Sequence, residues 1–190
     1  MASHHRHHPA VGPAQPVHGR SELPAGPARR SRDRAQLAQD ATPTVDVVVD
    51  ALHRCPGYDW VVLLQPTSPL RTTSDIDTAI GIFLHSASDS LVSVAAAEHP
   101  PFWNMVIDDG HLKPLFGMDS FQKRRQDLPE TYLPNGAIFI SRTETLLRTR
   151  SFYTANIVPF VMPIEKSVDI DSETDLMYAE TMMKHGTMHG

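Results

Sequence analysis

Apolar residues along this chain fall into two kinds of pattern. Val45, Val48, Val49 and Leu52 recur at spacings of three and four, which predicts a helix with one buried face running to about Arg54. Thr42 and Pro43 stand before it as N-cap and first helical residue. Trp60–Leu64 is instead a short continuous apolar run, the pattern of a strand covered on both faces. Ser74 is positioned to cap a second helix with Ile76, Ala79, Ile80 and Phe83 on one side, and Leu91–Ala97 reads as a second buried strand. Strand, helix, strand in this order makes a βαβ unit, and hence a parallel sheet with a right-handed crossover.

The later pattern is less regular. Asp108-Asp109-Gly110 is a turn signal between two short extended runs within Phe102–Leu115, which predicts a hairpin. A polar stretch with Lys123, Arg124 and Arg125 reads as a loop or arm. Gly136–Ser141 and Ile157–Met162 read as strands, with a helix near Thr143–Arg150 between them. Ser172 caps a last helix whose inward positions are Leu176, Ala179 and Met183, with Gly186 as its stop. The fold class is therefore α/β, without an internal repeat.

Composition divides the chain in two. Residues 1–36 hold six Arg and two acids and the rest is strongly acidic, for a net charge of −5. That first segment carries five Pro and five His, with only Val11, Val17 and Leu23 as larger aliphatics, too little apolar surface to offset its ordering entropy. It reads as disordered, and its cluster His4, His5, His7 and His8 as a solvated run rather than a metal site. The folded domain is expected over 37–190. The acidic balance argues against nucleic-acid or membrane partners, and no apolar run approaches the ~18 residues that span a bilayer. A single cysteine, Cys55, and an N-terminus without a signal-peptide core fit a soluble protein of the reducing cytoplasm.

The stretch VVLLQPTSPLR, Val61 to Arg71, joins a buried strand to a proline-fixed loop. Ligands of open parallel sheets sit at the carboxyl ends of strands, and this loop occupies that place. Pro66 and Pro69 stiffen it; Gln65 offers an amide, Thr67 and Ser68 hydroxyls, and Arg71 a planar fork for phosphate or carboxylate. The same residues would equally serve a rigid turn whose polar groups cap the next helix.

VVLLQPTSPLRTTSDID closely resembles the central motif of the acylneuraminate cytidylyltransferases, the CMP-sialic acid synthetases and their relatives acting on other nonulosonic acids. LAQDATPTVDVVVDAL resembles the helix before that motif, RRQDLPETYLPNGAIFI a later arginine-glutamine and NGAI segment, and SVDIDSETDL the metal-binding signature. The four segments stand in the family's order across most of residues 37–185. The resemblance implies a Rossmann-like, mostly parallel sheet of the nucleotide-diphospho-sugar transferase type, with a small β-hairpin arm inserted. It also implies cytidylyl transfer from CTP to a nine-carbon acidic sugar, giving a CMP-sugar and pyrophosphate with Mg²⁺ or another divalent cation.

By the same resemblance Asp169 and Asp171 are the catalytic, metal-holding carboxylates. Spaced by two on an extended segment they share a face, although Asp171 and Ser172 could equally open the last helix. Gln65, Ser68, Arg71, Arg125, Gln126, Asn135, Phe152 and Tyr153 are the substrate-binding candidates, the last two as an aromatic pair around an N-acyl group. Gln39 and Asp40 are nucleotide-side candidates. A homodimer is implied, with exchange of the arm Pro100–Pro134. Two departures stand out. Trp103 or Asn104 falls where relatives often carry a lysine for the sugar carboxylate, with Lys113 beyond the turn. Residues 1–36 hold no counterpart of the opening strand and glycine-rich CTP loop, so a truncated domain of doubtful activity is expected. The alternatives are a non-catalytic module that binds sugar acid or nucleotide, and another transferase built on an Asp-x-Asp metal motif.

Overall fold

A computed structural model describes residues 43–186, so the readings made for residues 1–42, including Gln39, Asp40 and the histidine cluster, lie outside the described residues. The elements are α1 (Thr44–Arg54), β1 (Trp60–Leu63), α2 (Thr73–His85), β2 (Ser90–Ala96), β3 (Met105–Asp108), β4 (His111–Pro114), α3 (Met118–Phe121), β5 (Tyr132–Arg142), α4 (Thr143–Thr149), β6 (Ile157–Val161) and α5 (Glu173–Gly186). The main sheet has the order β1-β5-β2-β6. β5 runs antiparallel to both β1 and β2, while β6 is parallel to β2, so three strands share one direction and β5 opposes them.

β1 and β2 thus point the same way, as the strand-helix-strand order predicts, but they are not neighbours. β5 separates them because it is the strand that must be covered on both edges. Its residues 135–141 are all buried, and Ala137, Ile138 and Ile140 have no exposed surface, whereas every residue of β1 is half-buried.

Period-two alternation sends each strand's side chains to two apolar layers. On one face Trp60, Val62, Leu91, Ile138 and Ile140 pack with Ala79 and Phe83 of α2. On the other, Val61, Leu63, Val92 and Phe139 pack with Val45, Val48 and Leu52 of α1 and Leu146 of α4. The result is a sheet between two helical layers, and the apolar spacing anticipated for α1 and α2 is the one that is buried. Asp109 and Gly110 both take positive φ (49° and 74°), the two-residue turn that an Asp-Gly pair favours, and they close the β3–β4 hairpin.

Three local expectations are corrected. Pro43 has extended backbone and is the N-cap of α1 rather than its first helical residue, so the helix opens one residue later than anticipated. Thr72, not Ser74, caps α2, because Thr72 and Asp75 satisfy each other's backbone N–H groups in a capping box. In α5 only Ala179 of the three inward candidates is buried; Leu176 and Met183 are about half exposed at 46% and 55%. Ser172 does cap α5, its hydroxyl accepting from the Asp175 N–H and donating to the Asp175 carboxylate. Among the described residues no helix is long and apolar enough to cross a membrane.

The feature that shapes the site is an irregularity in β5. Val92 faces Phe139 and Val94 faces Pro134, so residues 135–138 stand opposite Ser93 alone. Such a bulge forfeits ladder bonds, and buried backbone groups need other partners. Ser93 and Asn135 supply them. The Ser93 hydroxyl accepts from the Ile138 N–H at 2.7 Å and donates to Asn135 Oδ1 at 2.6 Å, which also accepts from the Ala137 N–H at 3.2 Å. Ser93→Ala strands a buried donor and weakens its neighbour, and should cost about 1–3 kcal/mol in urea unfolding. A change below about 0.5 kcal/mol would show that the bulge holds without it.

Candidate functional site

Gly136 sits on the bulge with φ +73°, a conformation glycine adopts without strain. A Cβ there would lie 2.8 Å from Gln65 Oε1, 3.1 Å from Ser68 Oγ and 3.2 Å from Asp169 Oδ2. Three side chains from two remote segments therefore converge on one spot of bare backbone. The bulge and the absent side chain together make the cradle.

The loop after β1 is held from within. Arg71 Nη1 donates to the carbonyls of Gln65 and Ser68, each at 2.6 Å, and burial pushes its pKa down. This nitrogen acts as a brace for the loop, the turn-stabilising role that the sequence left open beside ligand binding. Ser68 is fully buried and donates to the Asn135 carbonyl at 3.2 Å, so its hydroxyl ties loop to bulge. The Ile170 N–H donates to the Thr67 carbonyl at 2.8 Å, which fixes the Asp169 segment beside the loop. Asn135 Nδ2 donates to Ser167 Oγ at 2.8 Å, securing the same segment to the sheet.

Asp169 is exposed at the cradle. Asp171 is also exposed but lies at the bend that opens α5, where its N–H donates to the Asp175 carboxylate at 3.2 Å. Among the described residues neither carboxylate takes part in an ion pair, and no group of three His, Cys, Asp or Glu could hold a metal. Exposed, oxygen-only donors of this kind fit Mg²⁺, which commonly keeps waters and takes its remaining ligands from substrate phosphates.

The other candidates line two cavities. One, of about 290 Å³, is bounded by Gln65, Phe139, Phe152 and Tyr153 with Val45 of α1 and Arg150. Its aromatics pack tilted and edge-on, with Phe139 centred 5.4 Å from Phe152 and 6.3 Å from Tyr153. Arg150, in left-handed conformation at the end of α4, forms an ion pair with Asp46 of α1. The second cavity, of about 530 Å³, lies where the arm rejoins the sheet and is lined by Arg125, Gln126, Glu130 and Thr131 with Ala96 and Ala97. Gln65 belongs to both the cradle and the aromatic cavity, whereas Arg125 and Gln126 stand apart from both. Lys113 pairs with Asp108 at 2.6 Å on the exposed hairpin and joins neither group.

Sequence reasoning missed Ser93, Ser167 and Arg150. Ser93 had a signal, a lone hydroxyl inside the apolar run LVSVAA, since a buried polar group must be satisfied. Ser167 and Arg150 act through tertiary contacts that no local pattern announces.

No family model matches the chain. A solved structure of CMP-2-keto-3-deoxy-manno-octonic acid synthetase complexed with CTP superposes with a TM-score of 0.52 at 15% identity, covering 77% of this chain and 70% of that one. The fold is thus that of the nucleotide-diphospho-sugar transferases. Sequence similarity is closer. The N-acylneuraminate cytidylyltransferase of Streptococcus agalactiae serotype V is 36% identical over 146 residues, 76% of this chain and 35% of the relative. The CMP-N,N'-diacetyllegionaminic acid synthase of Legionella pneumophila is 33% identical over 167 residues, 83% of this chain and 68% of the relative. The chain belongs to the acylneuraminate cytidylyltransferase family, and it spans about a third of the length of its streptococcal relatives.

Two predictions follow from the cradle and its supports. Gly136→Ala places a side chain in left-handed backbone against Gln65 and should cost about 1–3 kcal/mol in thermal unfolding. An unchanged Tm would mean that the bulge relaxes. The second concerns Asp75, which anchors the turn leading to Asp169 through Lys166, whose Nζ lies 3.0 Å and 3.1 Å from its two oxygens. Burial alone would raise the Asp75 pKa, but hydrogen bonds from Thr72 and the Lys166 ammonium outweigh it and hold the carboxyl below its usual range. A depressed folded-state pKa contributes stability that is complete above the unfolded value and lost as pH falls through the folded one. The stability gap between the native chain and Asp75→Asn should be level above about pH 4 and close in more acid solution. A gap independent of pH down to acid unfolding would remove Asp75 from this role.

Proposed function

We propose that the cradle supports cytidylyl transfer from CTP to a nonulosonic acid. The observation that carries this reading is the convergence of Gln65, Ser68 and Asp169 on the bare backbone of Gly136, in a chain whose relatives are named for that activity. The anomeric hydroxyl of the sugar gives up its proton to solvent as its oxygen bonds to the α-phosphorus of CTP, the bond from that phosphorus to the α,β-bridging oxygen breaks, and pyrophosphate leaves with that bonding pair. Such a displacement needs chiefly positioning and charge stabilisation. Mg²⁺ or another divalent cation, when bound, neutralises charge on the phosphoryl oxygens.

The chain's own residues divide the remaining work. Asp169 and Asp171 would hold the cation. Gln65 directs its amide to the sugar from the junction of cradle and aromatic cavity, where Phe152 and Tyr153 face an N-acyl substituent. Ser68 and Asn135 keep loop and bulge in register. Arg71 keeps the loop closed around Gln65. Arg125 and Gln126 offer a fork and an amide to carboxylate or hydroxyl groups that reach the second cavity. The acting form is a cytoplasmic homodimer joined through the arm, whose Ile107, Leu112 and Leu133 are 77%, 64% and 63% exposed.

Pyrophosphate release from CTP and Mg²⁺, assayed against a panel of nonulosonic acids, tests the reading. Asp169→Asn should lower the rate at least ~100-fold while leaving thermal unfolding unchanged. Calorimetry separates the alternatives. Heat with a sugar acid but no pyrophosphate release indicates a binding module, and no heat with millimolar CTP–Mg²⁺ rejects the enzyme.

A further inference from the structure

Among the described residues, two other than glycine hold positive φ. Asp109 does so in the hairpin turn, where its residue type is at home. Arg150, at φ 52° and ψ 38°, ends α4, and its N–H donates to the Leu146 carbonyl at 2.8 Å. Glycine or asparagine is the usual choice at such a helix end, because most side chains crowd the backbone there. An arginine held in that conformation calls for something that its guanidinium does. The ion pair with Asp46 is a weak reason, since the two side chains are 53% and 35% exposed and exposed pairs stabilise little.

The stronger reason is the cavity that Arg150 lines. Leu63, Phe139 and Phe152 give it apolar walls, and among the described residues that bound it Arg150 alone carries charge. Asp46 takes Nη2, whereas a guanidinium has five N–H donors in a rigid fork. The pair is therefore charge-compensated and still a donor. That combination suits a neutral acceptor attached to a small apolar group. A carboxylate would compete with Asp46 for the same cation, and an ammonium would be repelled by it. A bare hydroxyl would leave the aromatic walls without an apolar partner. An amide carbonyl with its alkyl substituent meets both demands.

We propose that Arg150 donates to the carbonyl oxygen of the sugar's N-acyl group, while the alkyl end of that group packs on Phe152 and Tyr153. The assignment rests on the sugar-binding half of the proposed function. It makes Arg150 the residue that tells an N-acylated sugar acid from one bearing a hydroxyl at the same carbon. Gln65 belongs to the cradle as well as to this cavity, so a sugar engaged at its reacting end presents a substituent here.

Calorimetry of the full chain with N-acetylneuraminic acid, and with the same acid carrying a hydroxyl in place of the acetamide, tests this without turnover. The native chain should prefer the acetamide. Arg150→Asn keeps a side chain that tolerates left-handed backbone, so thermal unfolding should be unchanged. The preference should fall about tenfold, through weaker binding of the acetamide alone. Arg150→Gly, easier still in that backbone, serves if Arg150→Asn does not fold. Asp46→Asn separates contact from clamping, and should stay within about threefold of the native preference. Were Arg150 only a fastener between α4 and α1, both variants would lose the preference equally, and that result overturns the proposal. Equal binding of the two sugars by the native chain, or a preference unchanged in Arg150→Asn, also overturns it. Pyrophosphate release reports separately on the transfer. A preference that persists without release sinks the transfer and upholds the role of Arg150, whereas no heat with either sugar overturns both.

Discussion

The hydrogen bonds between Ser93 and the β5 bulge are the constraint on which the rest of this structure depends. A central strand cannot leave its ladder without supplying its buried N–H groups with new acceptors. Ser93 on β2 and Asn135 within the bulge do so, and Asn135 also reaches beyond that task. Asn135 grips the segment that carries Asp169 through Ser167, and its carbonyl receives the Ser68 hydroxyl of the loop. One solution to a backbone problem thus sets the relative positions of three segments remote in sequence. The cradle follows as a consequence, with Gly136 placed where any side chain would occupy it.

Much of this was legible in the sequence, for reasons that differ by element. α1 and α2 bury the faces their spacing indicates, because in both cases a helix lies flat on one sheet surface and period alone decides the result. The Asp-Gly turn needed only local geometry. Strand neighbours were not legible. Val61–Leu64 and Gly136–Ile140 are both continuous apolar runs, and nothing local says that the second takes the middle and reverses direction. The α5 face failed for a related reason: Leu176 and Met183 have the right period, but only Ala179 is buried.

For the candidate site, residue identity was more legible than arrangement. Gln65, Ser68 and Asp169 were named from motifs and meet within one cradle, and Phe152 and Tyr153 share a cavity with Gln65. Arg125 and Gln126 line a separate cavity. Arg71 shows why side-chain chemistry does not fix role: a planar fork suited to phosphate is equally suited to two converging carbonyls, and the short loop brings those to its Nη1.

The cradle's bracing also decides how far motion of β1 can influence the site. Gln65 lies just beyond the end of that strand, so motion of β1 has a path to it. Three ties stand between them. Arg71 closes the loop on itself, Ser68 fastens it to the bulge, and Ile170 bonds to Thr67 from the opposite side. β1 pairs with β5, the strand that carries the bulge, so the path from β1 to the cradle runs through that ladder. Loss of the inner ladder would free loop and bulge together.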